Sequence, residues 1–283
     1  MNTPHPTAAA AIRKRELPKH TAVWCILSLQ LLPLYMMVQM SVKNNTEFLL
    51  NPWFPTAPAQ WNWANFAYGI KLIGPYLANT VFIATLGALL TLFFAIMAAY
   101  FFARYRMPGH NLLWSLFITL MLLPGVANIV PLFTLLKSMN LLNTLWALII
   151  LGFAGGQVFN TFILRNFIED LPKDLFEAAE IDGASHWQQI INVVIPMSAP
   201  IIGTLFILSF LHLWNEFMMP LIILSDAQLF TLGVGLIYLD GEYVKQWGQI
   251  MAAFLVASIP LIMIFLFCMK LFVRGLTSGA VKG

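Results

Sequence analysis

The sequence contains few charged residues. Only 10% of its 283 residues are Asp, Glu, Lys or Arg, whereas 60% are hydrophobic. A soluble globular chain carries about 25% charged residues, so a water-facing shell cannot be built around this much apolar surface. The formal net charge of only +3 does not indicate a nucleic-acid partner. The composition excludes a soluble protein and predicts an integral membrane protein.

Cysteines and catalytic motifs are also scarce. Cys25 and Cys268 form no CxxC pair and lie in apolar runs, so we interpret both as small buried side chains. The sequence has no GxxxxGK[ST], HExxH or GxSxG motif. His212 lies in an apolar run without a second ligand at metal-binding spacing, which favours a packing role. We therefore expect no catalytic residue, metal or cofactor in this chain.

Six apolar runs reach the length of about 20 residues that a membrane-crossing helix needs. Five of the six runs contain no charged residue. The exception is the fifth run along the chain, which contains Glu216. The first run is longer than the apolar region of a typical signal peptide and is followed by no cleavage site, so we interpret it as an anchor. The runs span residues 22–42, 76–103, 112–136, 145–164, 197–224 and 246–269.

The basic residues predict the orientation of these runs. With the amino terminus inside, eleven of the 15 Lys and Arg residues fall on the cytoplasmic side. The sequence thus predicts a cytoplasmic tail over 1–21, a six-helix membrane domain over 22–272 and a cytoplasmic tail over 273–283. Tryptophans and prolines fill an outer loop over 43–75, which we expect to lie at the membrane interface with a short helix.

A polar loop over 165–196 separates the fourth and fifth runs and holds eight charges between residues 165 and 182. Pro172 and the acidic residue two positions later are typical of a helix start. Gly183 permits the left-handed conformation that ends a helix, and Ser185 is a suitable N-cap for a second one. Pro196 then opens the fifth run. The pattern predicts two short helices joined by a glycine bend on the cytoplasmic face.

The spacing within this loop resembles a known motif. Residues Glu177-Ala178-Ala179, then three residues, Gly183, nine residues and Val193-Val194-Ile195-Pro196 resemble the EAA loop of permease subunits in binding-protein-dependent ABC importers. Val193 and Ile195 replace the usual Ile and Leu by other aliphatic residues. Residues 177–200, 214–222 and 272–283 resemble the maltose-type carbohydrate-uptake branch, in particular the smaller of its two permease partners. The resemblance covers nearly the whole chain.

The resemblance implies a fold, a location and a set of partners. It implies the all-α type I importer permease fold in the bacterial inner membrane, with six transmembrane helices and a coupling-helix loop. The implied partners are a second homologous permease, two ATP-binding subunits that bind ATP and magnesium, an external solute-binding protein and a sugar or oligosaccharide. The residues implied to couple the chain to the ATPase are Glu177, Ala178, Ala179, Asp182, Gly183 and Pro196.

Asn215 and Glu216 are adjacent polar residues inside the fifth run. An ionisable residue in a span is costly and suggests a function or a buried partner. If one helix continued from Pro196, Glu216 would lie about 30 Å along it, towards the outer half. Asn215 and Glu216 are therefore candidates for the translocation pathway or its outer gate. Packing against Asn215, His212 or another chain remains the alternative.

Two other classes of function compete with an importer subunit. A self-sufficient secondary transporter or channel would need ionisable groups or broken helices at mid-membrane, and Glu216 is the only such group in the six runs. A membrane-anchored scaffold or sensor would normally carry a soluble output domain, and the sequence contains none. Both alternatives are less consistent with the loop motif than the importer subunit.

The topology prediction can be tested with single cysteines introduced after Cys25 and Cys268 are removed. We expect cysteines at positions 62 and 240 to react with a membrane-impermeant maleimide from outside, because the basic residues place both positions on the outer side. A cysteine at position 177, in the loop predicted to be cytoplasmic, is the control and should react only after the membrane is permeabilised. Labelling of positions 62 and 240 only from the cytoplasmic side would overturn the orientation.

Overall fold

The computed structural model describes residues 6–123, 128–242 and 246–280. These residues form helices and connecting turns, with no strand among them. Three single 3₁₀ turns lie at Pro58–Gln60, Leu120–Leu122 and Ala227–Leu229. The helices are α1 Pro6–Ser41, α2 Asn45–Leu50, α3 Ala64–Arg104, α4 His110–Thr119, α5 Ile129–Ser138, α6 Leu145–Glu169, α7 Lys173–Ile181, α8 His186–Gln189, α9 Ile195–Trp214, α10 Met218–Ile223, α11 Leu232–Glu242 and α12 Trp247–Ala280.

Five segments in the described part of the chain are long and apolar enough to cross a membrane. They are Pro18–Ser41, Ala64–Arg104, Leu145–Glu169, His186–Trp214 and Trp247–Phe267. The prediction of an all-α protein built from about six apolar segments is confirmed. All backbone polar groups can pair inside a helix, which is why apolar segments in a bilayer take this form.

The third apolar run differs from its prediction, because it contains two short helices, α4 and α5. Leu123 after the first of them is extended, with φ −75° and ψ 121°. A proline disfavours the helical conformation in the residue before it, and residue 124 is proline. The centre of the predicted run, residues 124–127, lies outside the described residues.

The fifth run also differs from its prediction at both ends. Ser185 does start a helix, but this helix continues through a π-helical segment, Ile190–Val194, directly into α9. The predicted second surface helix is therefore the first part of the span. Pro196 has no N–H to donate. The preceding residue, Ile195, donates its N–H to Ile190 O in a π-type hydrogen bond, which helps the helix to accommodate the proline. At the far end α9 stops at Trp214 instead of running to residue 224.

The chain divides into two compact units. The first unit consists of residues 1–72 and 243–256, and the connection between α1 and α3 belongs to it. Lys43 is fully buried there, and its Nζ donates hydrogen bonds to the backbone oxygens of Asn51 and Phe54, the latter at 2.7 Å. Burial lowers the pKa of Lys43. The predicted short helix exists as α2, whereas α3 begins twelve residues before the predicted run at 76–103.

The first unit also corrects the interpretation of Cys25, which is exposed. Cys25 lies on α1, and no residue of this helix between positions 18 and 38 is buried. An apolar sequence cannot distinguish burial in protein from exposure to lipid, because both environments favour the same side chains. The side chain of Cys268 lies outside the described residues.

The second unit consists of residues 73–242 and 257–283. Its largest core cluster joins α3, α6, α7, the π segment and α9. Gly152 allows α6 to pack closely against α9, and Gly156 allows α6 to pack closely against α3, because neither residue carries a side chain. An added Cβ at Gly152 would collide with Leu213, and one at Gly156 would lie 2.7 Å from Thr91. Both glycines thus permit close helix packing, as small residues commonly do between membrane helices.

Candidate functional site

The loop over 165–196 forms the helix and bend that the sequence predicts. Pro172 is the N-cap of α7, and Asp182 follows its last residue. Gly183 has φ +75°, the left-handed conformation that ends the helix. Ser185 then caps the next helix in a full capping box, in which Gln188 donates its backbone N–H to the Ser185 hydroxyl and accepts the Ser185 N–H in return.

Phe176 anchors α7 to the rest of the second unit. Its side chain is fully buried in the core cluster formed by Leu92, Ala95, Ile96, Ala99, Tyr100, Leu164, Ile168, Leu171, Ile190, Val194 and Leu205. The guanidinium carbon of Arg104 lies 3.9 Å from the centre of the Phe176 ring, a cation–π contact. The sequence prediction missed this residue, although Phe176 is the only aromatic residue in α7.

The opposite face of α7 is open. Glu177, Ala178, Asp182 and Gly183 are exposed and Ala179 is half-buried. Ile181 is 87% exposed, which is unusual for an aliphatic side chain on a helix that already has a buried anchor. Five of the six predicted coupling residues are thus wholly or partly accessible along α7 and the bend that follows it. Pro196 lies apart from them in the chain, at the second position of α9.

A polar cluster fixes the second arm of the loop. The hydroxyl of Tyr100 on α3 donates to Gln189 Oε1 at 2.7 Å. His186 Nδ1 lies 3.3 Å from the same hydroxyl, and His186 Nε2 is hydrogen-bonded to the hydroxyl of Tyr105. Burial and the nearby carboxylate of Glu180 raise the pKa of Tyr105. This cluster holds the start of α8 against the end of α3.

Asn215 and Glu216 lie in a break between two helices, so the prediction that Glu216 belongs to a continuous span is wrong. Asn215 caps α9, and its Nδ2 donates to Leu211 O at 2.8 Å. Glu216 Oε1 accepts a hydrogen bond from the backbone N of Met219 at 3.1 Å. A carboxylate at the start of α10 satisfies an N–H group that has no partner within the helix.

Two cavities lie beside this break. The first, of about 480 Å³, includes His212, Glu216, Met219 and Thr231 among its lining residues. The second, of about 370 Å³, extends along α6 and α9 past Asn160. Both are lined by Gly152, Gly155, His212 and Leu213, so they adjoin each other. His212 faces both cavities, which the prediction of a packing role did not include.

The structure combines long apolar helices, the exposed helix α7 anchored by Phe176, and a helix break beside a cavity. This combination is typical of a polytopic membrane permease. The chain belongs to the family described as "Binding-protein-dependent transport system inner membrane component", whose model matches residues 91–278. It is thus a non-catalytic membrane subunit of an importer. This membership excludes the secondary transporter and scaffold alternatives.

Individual relatives agree with this assignment. The chain is 33% identical over 268 residues to "Probable ABC transporter permease protein YurM" of Bacillus subtilis, covering 93% of this chain and 89% of that protein. It is 35% identical over 245 residues to "Sulfoquinovosyl glycerol transport system permease protein SmoH" of Agrobacterium fabrum, covering 86% of each. A solved bacterial ABC transporter "involved in the import of the acidic polysaccharide alginate" contains a similar fold, with TM-score 0.80, 19% identity and coverage of 95% of this chain and 99% of that chain.

Replacing Gly183 by Val should distort the bend after α7. A β-branched residue at φ +75° has a strained backbone. No atom lies within 4 Å of the new Cβ, so no new packing contact offsets this strain. We expect ATP-driven import by the reconstituted complex to fall about fivefold or more, as a strain of about 1–2 kcal/mol implies. Gly183→Asn is the matched control, because Asn tolerates the left-handed region, and it should retain most of the activity.

The yield of both Gly183 variants in the membrane fraction should match that of the wild type, since the bend lies outside the spans. Wild-type import by Gly183→Val with the ATPase subunits still bound would contradict a role for the bend.

Proposed function

We propose that the chain is one of two permease subunits that import a sugar or oligosaccharide delivered by an external solute-binding protein. Two ATP-binding subunits, which bind ATP and magnesium, drive the transport. The names of relatives support the substrate class, because they include permeases named for sulfoquinovosyl glycerol, for arabinooligosaccharides and for melibiose, raffinose and stachyose. All of these compounds contain sugar residues, and most of them are neutral.

The coupling part of this proposal rests on the exposed residues of α7. Glu177, Glu180 and Asp182 form no ion pair within the described residues, and no basic residue occupies the last turn of α7. Carboxylates near a helix C-terminus interact unfavourably with the helix dipole, so they cost stability in the isolated chain. A groove with basic walls on an ATPase subunit would compensate them, and Ile181 would fill an apolar pocket at its centre. On this proposal both termini and α7 face the cytoplasm.

The helix break carries the pathway part of the proposal. We assign Asn215 and Glu216 to the outer part of the translocation pathway or its gate. Non-helical backbone at membrane depth is tolerated where it is buried in protein or lines a cavity, and Glu216 lines the first cavity. A broken apolar helix beside a cavity is also where substrate sites occur in other transporters.

Ile181→Asp tests the coupling surface in a reconstituted complex with the binding protein. Ile181 is 87% exposed, so folding should be unaffected, while a new charge in an apolar pocket should weaken ATPase binding by about 2 kcal/mol or more. We expect loss of the ATPase subunits on gentle purification and loss of sugar uptake. Leu50→Asp is the matched control, because Leu50 is 82% exposed on α2 and should keep the ATPase bound. Wild-type ATPase content in Ile181→Asp would refute the surface.

Glu216→Gln tests the pathway assignment. The amide keeps the shape and the oxygen that accepts from Met219 N, and removes only the negative charge. A pathway role predicts normal assembly with altered uptake and altered sugar-stimulated ATP hydrolysis. A packing role predicts that the complex loses subunits or thermal stability first, because a former partner charge is left unpaired. Normal values for assembly, stability and uptake together would remove Glu216 from the pathway.

A further inference from the structure

The first cavity, beside the break between α9 and α10, has an unusual set of polar groups. Its lining is mostly apolar, with four isoleucine and leucine positions on α5 and α6 and a pair of methionines on α10. The polar residues of the lining include His212, Glu216 and Thr231. A mostly apolar cavity of about 480 Å³ with a few convergent polar groups has the size and character of a small-molecule site.

The hydroxyl of Thr231 is the strongest indication of a ligand. Its side chain is 5% exposed, and its Oγ1 has no hydrogen-bond partner in the described part of the chain. Buried hydroxyl groups nearly always have a partner, because leaving one unpaired is costly. The neighbouring Thr80, which also lines the cavity, is already paired, since its Oγ1 accepts from Leu232 N at 2.8 Å. Its Oγ1 has less than 1 Å² of accessible surface, so a molecule in the cavity reaches the Thr231 hydroxyl only after a movement of the neighbouring side chains.

His212 and Glu216 supply further unused capacity. Glu216 uses Oε1 to accept from Met219 N, and its Oε2 has no hydrogen bond within the described residues. Neither ring nitrogen of His212 has a protein partner in the same part of the chain. The cavity therefore offers one acceptor-only group and two groups that can donate or accept, a combination that suits hydroxyl groups.

The charge of the lining restricts the ligand further. Among the described residues that line the first cavity, Glu216 is the only acidic one, and none is Lys or Arg. A carboxylate without a basic neighbour repels an anionic ligand. The lining favours a neutral polyhydroxylated compound over an acidic one.

Gly155 keeps the cavity floor open. An added Cβ at this position meets no atom within 4 Å, whereas Gly152 and Gly156 are needed for packing. Gly155 lines both cavities, and Phe159, one turn further along α6 and 45% exposed, lines the second. An exposed aromatic ring beside a flat glycine surface can take the apolar C–H face of a sugar ring.

We propose that this chain has its own sugar subsite, formed by His212, Glu216 and Thr231 in the first cavity and continued past Gly155 to Phe159 in the second. The subsite takes a neutral sugar, whose hydroxyl groups pair with the three polar side chains. A second ring of an oligosaccharide stacks beside Phe159. This inference rests on the proposed function, and it adds that this subunit contacts the sugar directly and selects against acidic sugars.

Thr231→Val distinguishes a ligand role from a structural one. Val has nearly the same shape as Thr, and removal of an unpaired buried hydroxyl should leave the melting temperature of the complex unchanged or raise it. We expect uptake to fall about fivefold, the effect of one lost hydrogen bond to the sugar. Unchanged uptake, or a fall in melting temperature that accompanies the loss, would overturn the role of Thr231.

Gly155→Leu fills the cavity, and Gly74→Leu is its matched control. Gly74 lies on α3, and an added Cβ there also meets no atom within 4 Å. Gly74 lines a separate open groove with Pro260. We expect about tenfold lower uptake for Gly155→Leu at normal assembly, and uptake within about twofold of the wild type for Gly74→Leu, since only the first substitution displaces a sugar ring. Equal effects of the two substitutions would overturn the subsite.

The uptake assays use proteoliposomes containing the complete complex, its binding protein and labelled maltose, raffinose, diacetylchitobiose or an alginate trisaccharide. The inference expects import of a neutral sugar. If only the acidic trisaccharide is imported, the proposed function stands and the neutral subsite is overturned. If no sugar is imported by the wild type, the proposed function fails and this inference fails with it.

Discussion

Inside a bilayer an unpaired backbone N–H or C=O group costs several kcal/mol, and this constraint decides where the chain can leave the helical conformation. The break after α9 meets it with local partners, since Glu216 N donates to Leu213 O at 3.3 Å and the Glu216 carboxylate accepts from Met219 N. The π segment meets it with bonds of longer span. These two departures from the α-helix therefore each have their own polar compensation, and the break after α9 lies at the proposed pathway.

A single helical rod connects the two functional regions. The 29 residues His186–Trp214 run from the capping box beside α7 to the break beside the cavities, a length of about 40 Å. At one end the rod is held by the tyrosine cluster and the core around Phe176. At the other end it carries His212 and leads into Glu216. On the proposed function, a displacement of α7 by the ATPase reaches the cavity wall through this rod, because a packed helix moves as a rigid body.

The local features of the loop were predictable because they depend on a few neighbouring residues. Gly183 and Ser185 signal a left-handed bend and an N-cap by their own chemistry, and the structure has both. The burial of Phe176 was not predictable from the loop alone. It depends on side chains of α3, α6 and α9, up to 84 positions away in the sequence. The exposure of Cys25 was missed for a related reason, because lipid and protein interior favour the same residues.

The sequence by itself determined the class of protein, the apolar segments and the helix–bend–helix form of the loop, since composition, hydrophobic length and capping chemistry are local properties. Only the tertiary structure decided where those segments break and what the polar residues among them face. The mostly apolar run of 28 residues that contains Glu216 is long enough to form one membrane-crossing helix. In the structure α9 stops at Trp214 and α10 begins at Met218, beside a cavity. Thr231 is one hydroxyl among many in the sequence. Its significance comes from packing against distant helices, which buries it without a partner beside Glu216.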